Sequence, residues 1–91
     1  MPVTLEEAKN YLRVESGDED GLISDLLSTA MQMCRDVARA DDATLNENAA
    51  ITRIAVLYTV AYLYEHREEA DHRALQLTLR ALLFGIREEA F

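Results

Sequence analysis

The sequence predicts an all-α fold: a compact bundle of about four helices in a single domain that spans residues 1–91. Hydrophobic residues make up 49% of the chain, and they recur at helical spacing rather than in strand-like alternation. The chain has only three glycines and one proline, so few residues interrupt the helical pattern. A chain of 91 residues also has room for one modest core and no second domain.

The first two helices have recognisable start signals. Thr4 and Glu7 have the spacing of a capping box, which predicts a helix over about residues 5–13. A second helix is predicted over about residues 19–40, with Asp18 as its N-cap, because apolar residues then recur every three or four positions.

The third helix is predicted to be the central one. The segment 41–48, DDATLNEN, has the composition of a loop, and Asn46 or Asn48 can cap the helix that follows. That helix is predicted from about Ala49 to Arg67, and between residues 54 and 64 it is apolar on every side. A helix that packs on one core needs only an apolar stripe, so this one is expected to have neighbours all around it.

A fourth helix is predicted from about Asp71 to Phe84, with Gly85 as its C-terminal cap. Residues 86–91, IREEAF, follow as a short tail, and Ile86 and Phe91 are the expected anchors of that tail on a partner. Four residues from the helical patterns are predicted to lie in the core: Leu26, Leu27, Ala55 and Leu63.

The charge of the chain argues against a direct grip on nucleic acid. The net charge is −8, and it is uneven: residues 1–48 hold eleven acids and four bases, whereas residues 49–91 hold six acids and five bases. Binding to the phosphate backbone needs clustered Lys and Arg, and the fourth helix has only Arg73 and Arg80, too few for a helix-turn-helix reader. The asymmetry instead suggests that unlike faces of neighbouring subunits meet, with the arginines Arg53, Arg73 or Arg80 opposite acids such as Asp25 or Asp36.

The sequence excludes a membrane-spanning protein and a secretory signal peptide. The longest apolar run is eleven residues, about half of a bilayer span, and the first twenty residues hold no apolar signal segment. The single cysteine, Cys34, fits a reducing compartment and is expected to be a small buried hydrophobe.

No catalytic, cofactor-binding or metal-binding residue is predicted. The segment 16–21, SGDEDG, lacks two ligands of a calcium loop, and the Glu-x-x-His pair at 69–72 has no second pair. The acids Glu65, Glu68 and Asp71 leave a metal-dependent phosphohydrolase as a distant alternative.

Tyrosines and arginines are the expected interface residues, because Tyr buries a large area with a wet tip and Arg forms forked contacts. Tyr58 and Tyr62 share one helical face, whereas Tyr64 points elsewhere. The interface candidates are Tyr58, Tyr62, Tyr64, Arg67, Arg73, Arg80, Ile86 and Phe91.

Three stretches stand out by their order and spacing: LEEAKNYLRVESGDEDGLI (5–23), AVLYTVAYLYEHREE (55–69) and LLFGIREE (82–89). Together they resemble the head–tail connector or adaptor proteins of long-tailed bacteriophages and prophages, which are often labelled as DNA-packaging proteins. The family pattern falls on Leu5, Ala8, Lys9, Leu12, Arg13, Asp20, Ile23, Leu63, Tyr64, Arg67, Leu82, Leu83 and Arg87. One departure is that family members usually have a proline and an aromatic before the final Arg, where this chain has Phe84, Gly85 and Ile86.

The resemblance implies a structural, non-enzymatic subunit without cofactors. Such subunits assemble into a ring under the portal protein of the filled head, extend the DNA channel and seat a tail-side head-completion protein. DNA passes through without specific binding, no membrane is involved, and the site of action is the head–tail junction of the virion, after assembly in the bacterial host cytoplasm.

Two acidic clusters are candidates for the channel lining, and the sequence does not choose between them or a purely solvating role. One holds Glu15, Asp18, Glu19 and Asp20, and the other holds Glu65, Glu68 and Glu69. The alternative to the connector function is a small helical regulatory or adaptor protein that acts as a dimer.

Overall fold

The computed structural model describes residues 3–66 and 71–86, and the described chain is helical without a β-strand. Its α-helices are α1 (Leu5–Leu12), α2 (Asp20–Ala38), α3 (Asp42–Glu47), α4 (Ala49–Glu65) and α5 (His72–Leu83), followed by a 3₁₀ turn over Phe84–Ile86. The prediction of an all-α bundle is therefore confirmed. Some predicted functional residues lie outside the described residues: Arg67, Glu68, Glu69, Arg87 and Phe91.

Helix α4 is central, as predicted. It packs along α2, and α5 packs on both of them, so that these three helices form a bundle. Helix α1 packs on α2 and α4, and the short α3 packs on α4. Helix α4 therefore contacts every other α-helix of the described chain, which explains why its apolar residues are not confined to one stripe.

The core draws on all five described helices. Leu27, Ala55 and Leu63 are buried as predicted, whereas Leu26 is only partly buried at the edge of the core. The Cys34 side chain is fully buried, and burial raises the pKa of its thiol to about 12. Cys34 is therefore a small neutral core residue, which confirms the expectation from the sequence.

Helix α4 buries two threonines, and the hydroxyl group of each one is paired with a backbone carbonyl oxygen. The Thr52 hydroxyl donates a hydrogen bond to the carbonyl oxygen of Leu45 at 2.9 Å, and the Thr59 hydroxyl donates to that of Ala55 at 2.8 Å. Both side chains are fully buried, and a buried hydroxyl needs such a partner. The Thr52 bond also joins α3 to α4.

The prediction of a loop at 41–48 was wrong, because this segment contains α3. The Asp41 carboxylate caps this helix by accepting a hydrogen bond from the backbone N–H of Thr44 at 2.9 Å, and Leu45 is fully buried. Asn48 does precede α4, but its amide donates to the Thr44 carbonyl oxygen instead of capping α4.

Two further predicted helix ends were wrong. Glu19, not Asp18, is the N-cap residue of α2, and it makes no side-chain capping bond. Gly85 is not a left-handed cap, because α5 passes through Phe84 directly into the 3₁₀ turn. The left-handed C-caps are instead Arg13 (φ 61°) and Arg39 (φ 53°).

Candidate functional site

A concave surface of the described residues lies between the end of α1 and the outer side of α4. We call it the aromatic groove; it is open to solvent and has a volume of about 650 Å³. Its lining residues are Tyr11, Leu12, Arg13, Tyr58, Ala61, Tyr62, Glu65 and His66.

The wall of the groove is a stack of aromatic rings on α4. The Tyr58 and Tyr62 rings are 6.5 Å apart and the Tyr62 and His66 rings are 4.2 Å apart, both in stacked geometry. The Tyr62 hydroxyl accepts a hydrogen bond from the backbone N–H of Asp71 at 3.0 Å, at the start of α5. Tyr62 is therefore held within the subunit, whereas the Tyr58 ring is free to contact another molecule.

The outer side of α5 forms a second surface, on which two large apolar side chains lie between and beside two arginines. We call it the α5 ridge; it consists of Arg73, Leu77, Arg80 and Phe84, which share one helical face. Leu77 and Phe84 are exposed, at 56% and 67%. Helix α5 holds both arginines and no acid.

These two surfaces hold four of the five exposed large hydrophobic side chains of the described residues. The four are Tyr11, Tyr58, Leu77 and Phe84, and the fifth is Ile54, on the same outer side of α4 as Tyr58. Tyr11, Leu77 and Phe84 are not among the interface residues predicted from the sequence. Leu77 and Phe84 could have been recognised, because they are seven residues apart on the otherwise polar face of α5.

Glu65, the described member of the second predicted acidic cluster, lies at the same end of the molecule as the first cluster. The Tyr64 hydroxyl donates a hydrogen bond to the Glu19 carboxylate at 2.9 Å, which places the end of α4 beside the start of α2. Of the described members, Glu15, Asp18 and Glu65 are exposed. We call this set, with Glu19 and Asp20, the acidic end.

Two charged residues of this region are engaged within the chain. The Lys9 ammonium contacts the Asp20 carboxylate at 2.7 Å, and this ion pair supplies the partner of the otherwise unbonded Asp20 Oδ1 atom. The half-buried Tyr64 joins the end of α4 to the start of α2 through its bond to Glu19, and its role at an interface stays a prediction.

Arg53 pairs with an acid of its own chain. Its guanidinium binds the Glu7 carboxylate, and the Thr4 hydroxyl and Glu7 complete the predicted capping box. The hydrogen bond from Arg53, followed by that from the Thr4 backbone, lowers the pKa of Glu7 to about 2. The pair joins α1 to α4 beside the groove.

The family pattern falls mostly on the core of the subunit. Ala8, Ile23, Leu63 and Leu83 are buried, and Leu5, Leu12 and Leu82 pack against that core. The polar positions of the pattern are also placed: Lys9 pairs with Asp20, Arg13 is the left-handed cap of α1, and Tyr64 binds Glu19.

Over residues 3–66 and 71–86, no three His, Cys, Asp or Glu side chains are grouped as a metal site would require. Nor is any helix in these ranges long and apolar enough to cross a bilayer.

A comparison with protein families identifies the chain. The model of the family described as "Phage gp6-like head-tail connector protein" matches residues 2–89, which is nearly the whole sequence. No curated protein and no solved structure matches the chain. The match covers every helix described above, together with the groove, the ridge and the acidic end. This protein therefore belongs to the phage gp6-like head–tail connector proteins.

Proposed function

We propose that the chain is a structural subunit of the ring that connects the head of a phage to its tail. In this proposal the 91 residues form one domain, and the subunits form a ring that docks under the portal protein. The ring extends the DNA channel and seats the next tail-side component. The family match over residues 2–89 is the observation that carries the proposal.

The distribution of exposed apolar side chains supports an assembly role. The aromatic groove and the α5 ridge leave large hydrophobic residues in solvent on two different elements of a small subunit. Exposed apolar patches on a protein surface often mark sites of protein–protein contact. A subunit with two such surfaces can contact two neighbours.

The acidic end supports a role as channel lining. The exposed carboxylates of Glu15, Asp18 and Glu65 take part in none of the ion pairs of the described residues, and in a ring they would be repeated in every subunit. We propose that this end faces the passing DNA, and Glu68 and Glu69 stay candidates for the same lining from the sequence. Like charges repel the duplex over about 8 Å at physiological salt, so that the DNA moves without adhering.

Assembly of the purified protein tests the ring. Light scattering over a range of concentration and salt, with negative-stain microscopy of the most concentrated sample, should show annular particles. Adding the portal protein should favour those particles further. A strict monomer under all these conditions would contradict the proposal, and a discrete dimer alone would favour the regulatory adaptor instead.

The contact with the portal is proposed to use residues 86–91, with Ile86 and Phe91 as anchors. Deleting these residues should leave the thermal unfolding transition unchanged and weaken co-sedimentation with the portal. If the shortened chain unfolds instead, these residues belong to the core.

A further inference from the structure

We propose that the contact between neighbouring subunits is unlike-to-unlike, with the α5 ridge of one copy seated in the aromatic groove of the next. This inference rests on the proposed ring function and names the two surfaces that build the ring. Four observations support it: the shape of the groove, the spacing of side chains along the two surfaces, the charge of α5, and the directions in which the two surfaces face.

The shape of the groove suits a helix. The small side chain of Ala61 lies between the larger Tyr58 and Glu65 along the outer side of α4, and Tyr11 of α1 forms the facing wall. An amphipathic helix binds such a groove through apolar residues on one face. The ridge offers Leu77 and Phe84 for this purpose.

The spacing of the two surfaces matches. Leu77 and Phe84 are seven residues apart on α5, which is about 10 Å along a helix. Tyr58 and Glu65 are also seven residues apart on α4. The two apolar side chains of the ridge can therefore reach both ends of the groove at once.

Charge favours α5 as the occupant. The protein has a net charge of −8, so two copies repel each other across most of their surfaces. Among the described helices, α5 alone has a net positive charge, from Arg73 and Arg80 without any acid. The groove holds one exposed acid, Glu65, and one exposed base, Arg13; Glu65 can pair with one of the ridge arginines, and Arg13 contributes no attraction.

The direction of the two surfaces favours a ring over a closed dimer. Because α2, α4 and α5 pack on one another, the outer sides of α4 and α5 point in different directions. When the groove and the ridge of each copy bind two different neighbours, one groove and one ridge stay open in every dimer, so further copies can add until the ring closes. A groove-to-groove contact would stop at two copies.

Two variants, each blocking one surface, test this pairing. Tyr58→Arg places a cation in the groove, against the arginines of the ridge, and Leu77→Arg removes the apolar centre of the ridge. Ser28→Arg, on the exposed side of α2, adds the same charge outside both surfaces and is the matched control. Circular dichroism confirms the fold of each variant, and Tyr11→Arg and Phe84→Arg replace any variant that does not fold.

Each blocked variant alone should be a monomer, with self-association weakened by at least about tenfold, as expected for a central contact residue. Mixing the two should restore one intact contact, the ridge of Tyr58→Arg in the groove of Leu77→Arg, and give a 1:1 dimer that grows no further. Ser28→Arg should assemble like the wild type. Analytical ultracentrifugation distinguishes these species.

The inference is overturned if either blocked variant assembles normally, or if the mixture stays monomeric while the wild type assembles; in both cases the ring proposal stands. If Tyr58→Arg assembles but no longer binds the portal, the occupant of the groove is the portal. A wild-type protein that never self-associates overturns both this contact and the proposed function.

Discussion

Leu63 illustrates how much a single side chain of α4 contributes. It is 8% exposed and lies in the core that α4 shares with its neighbours. Replacing Leu63 by Ala should lower the free energy of unfolding by about 2 to 5 kcal/mol, through lost burial and the cavity left behind. Leu77→Ala, at an exposed position, should cost less than about 1 kcal/mol in dilute protein. Urea denaturation compares the two, and equal losses would mean that α4 is not central to the core.

The Glu7–Arg53 pair should make stability depend on acid pH. The pKa of Glu7 is about 2 in the folded protein and 4.5 at its ordinary value, so the folded state binds this proton less readily than the unfolded state. The stabilisation is therefore present above about pH 4.5 and is lost as the pH falls towards about 2.

The stability gap between the wild type and Glu7→Gln should accordingly be largest at neutral pH and close within that window. Chemical denaturation at a series of pH values measures it. Glu6→Gln is the matched control, because Glu6 lies one residue earlier and takes part in none of the ion pairs of the described residues. A gap of constant size down to pH 2 would show that the ion pair is not its cause.

Among the helices, α5 depends on its N-cap. The Asp71 carboxylate accepts a hydrogen bond from the backbone N–H of Ala74 at 3.0 Å, and the Asp71 backbone binds the Tyr62 hydroxyl. Asp71→Ala should cost about 1 kcal/mol, because the first turn of α5 loses its acceptor. Asp71→Asn keeps an oxygen acceptor and should be nearly neutral. Thermal unfolding of both variants is the measurement, and an equal loss in the two would argue against capping.

The sequence predicts those helices that have long apolar repeats. Helices α2, α4 and α5 each extend over enough turns for the spacing of their apolar residues to be recognised. Helix α1 is short, but its capping box is a local pattern that the sequence shows directly. Helix α3 was missed because six residues form too short a repeat, and only the Asp41 cap and the buried Leu45 distinguish it from a loop. The left-handed ends at Arg13 and Arg39 were also unpredictable, since glycine is the usual signal for that conformation.

The candidate surfaces were predictable only in part. Tyr58 was selected from its pattern and is exposed, but Tyr64 binds Glu19, a residue 45 positions away, and no local pattern indicates such a contact. The same bond places Glu65, the neighbour of Tyr64, near the acidic start of α2, although these acids fall in two alternative clusters in the sequence. Arg53 was expected opposite a neighbouring subunit because of the uneven charge of the two halves of the chain, and its contact with the distant Glu7 leaves no local signal in the sequence.

The charge of the whole molecule leads to a prediction about DNA. The isolated protein should show no measurable affinity for duplex DNA near 150 mM salt, where non-specific binders reach roughly 10⁻⁴ to 10⁻⁶ M. Fluorescence anisotropy with a labelled duplex measures this. A triple variant that reverses the acidic end, Glu15→Lys, Asp18→Lys and Glu65→Lys, should gain binding that weakens steeply with salt. Salt-sensitive micromolar binding by the wild type would contradict the proposed channel lining.

The two sides of α5 have a consequence for the order of events in the cell. Leu75, Leu79 and Leu83 face the core, while Leu77 and Phe84 face outwards on the ridge. Because α5 packs on both α2 and α4, its outer side takes its final position only when the bundle is complete. With the proposed ridge-to-groove contact, an incompletely folded chain cannot offer a correctly placed ridge to a neighbour. Only completely folded subunits would then bind to a growing ring, so that assembly itself selects for correct folding.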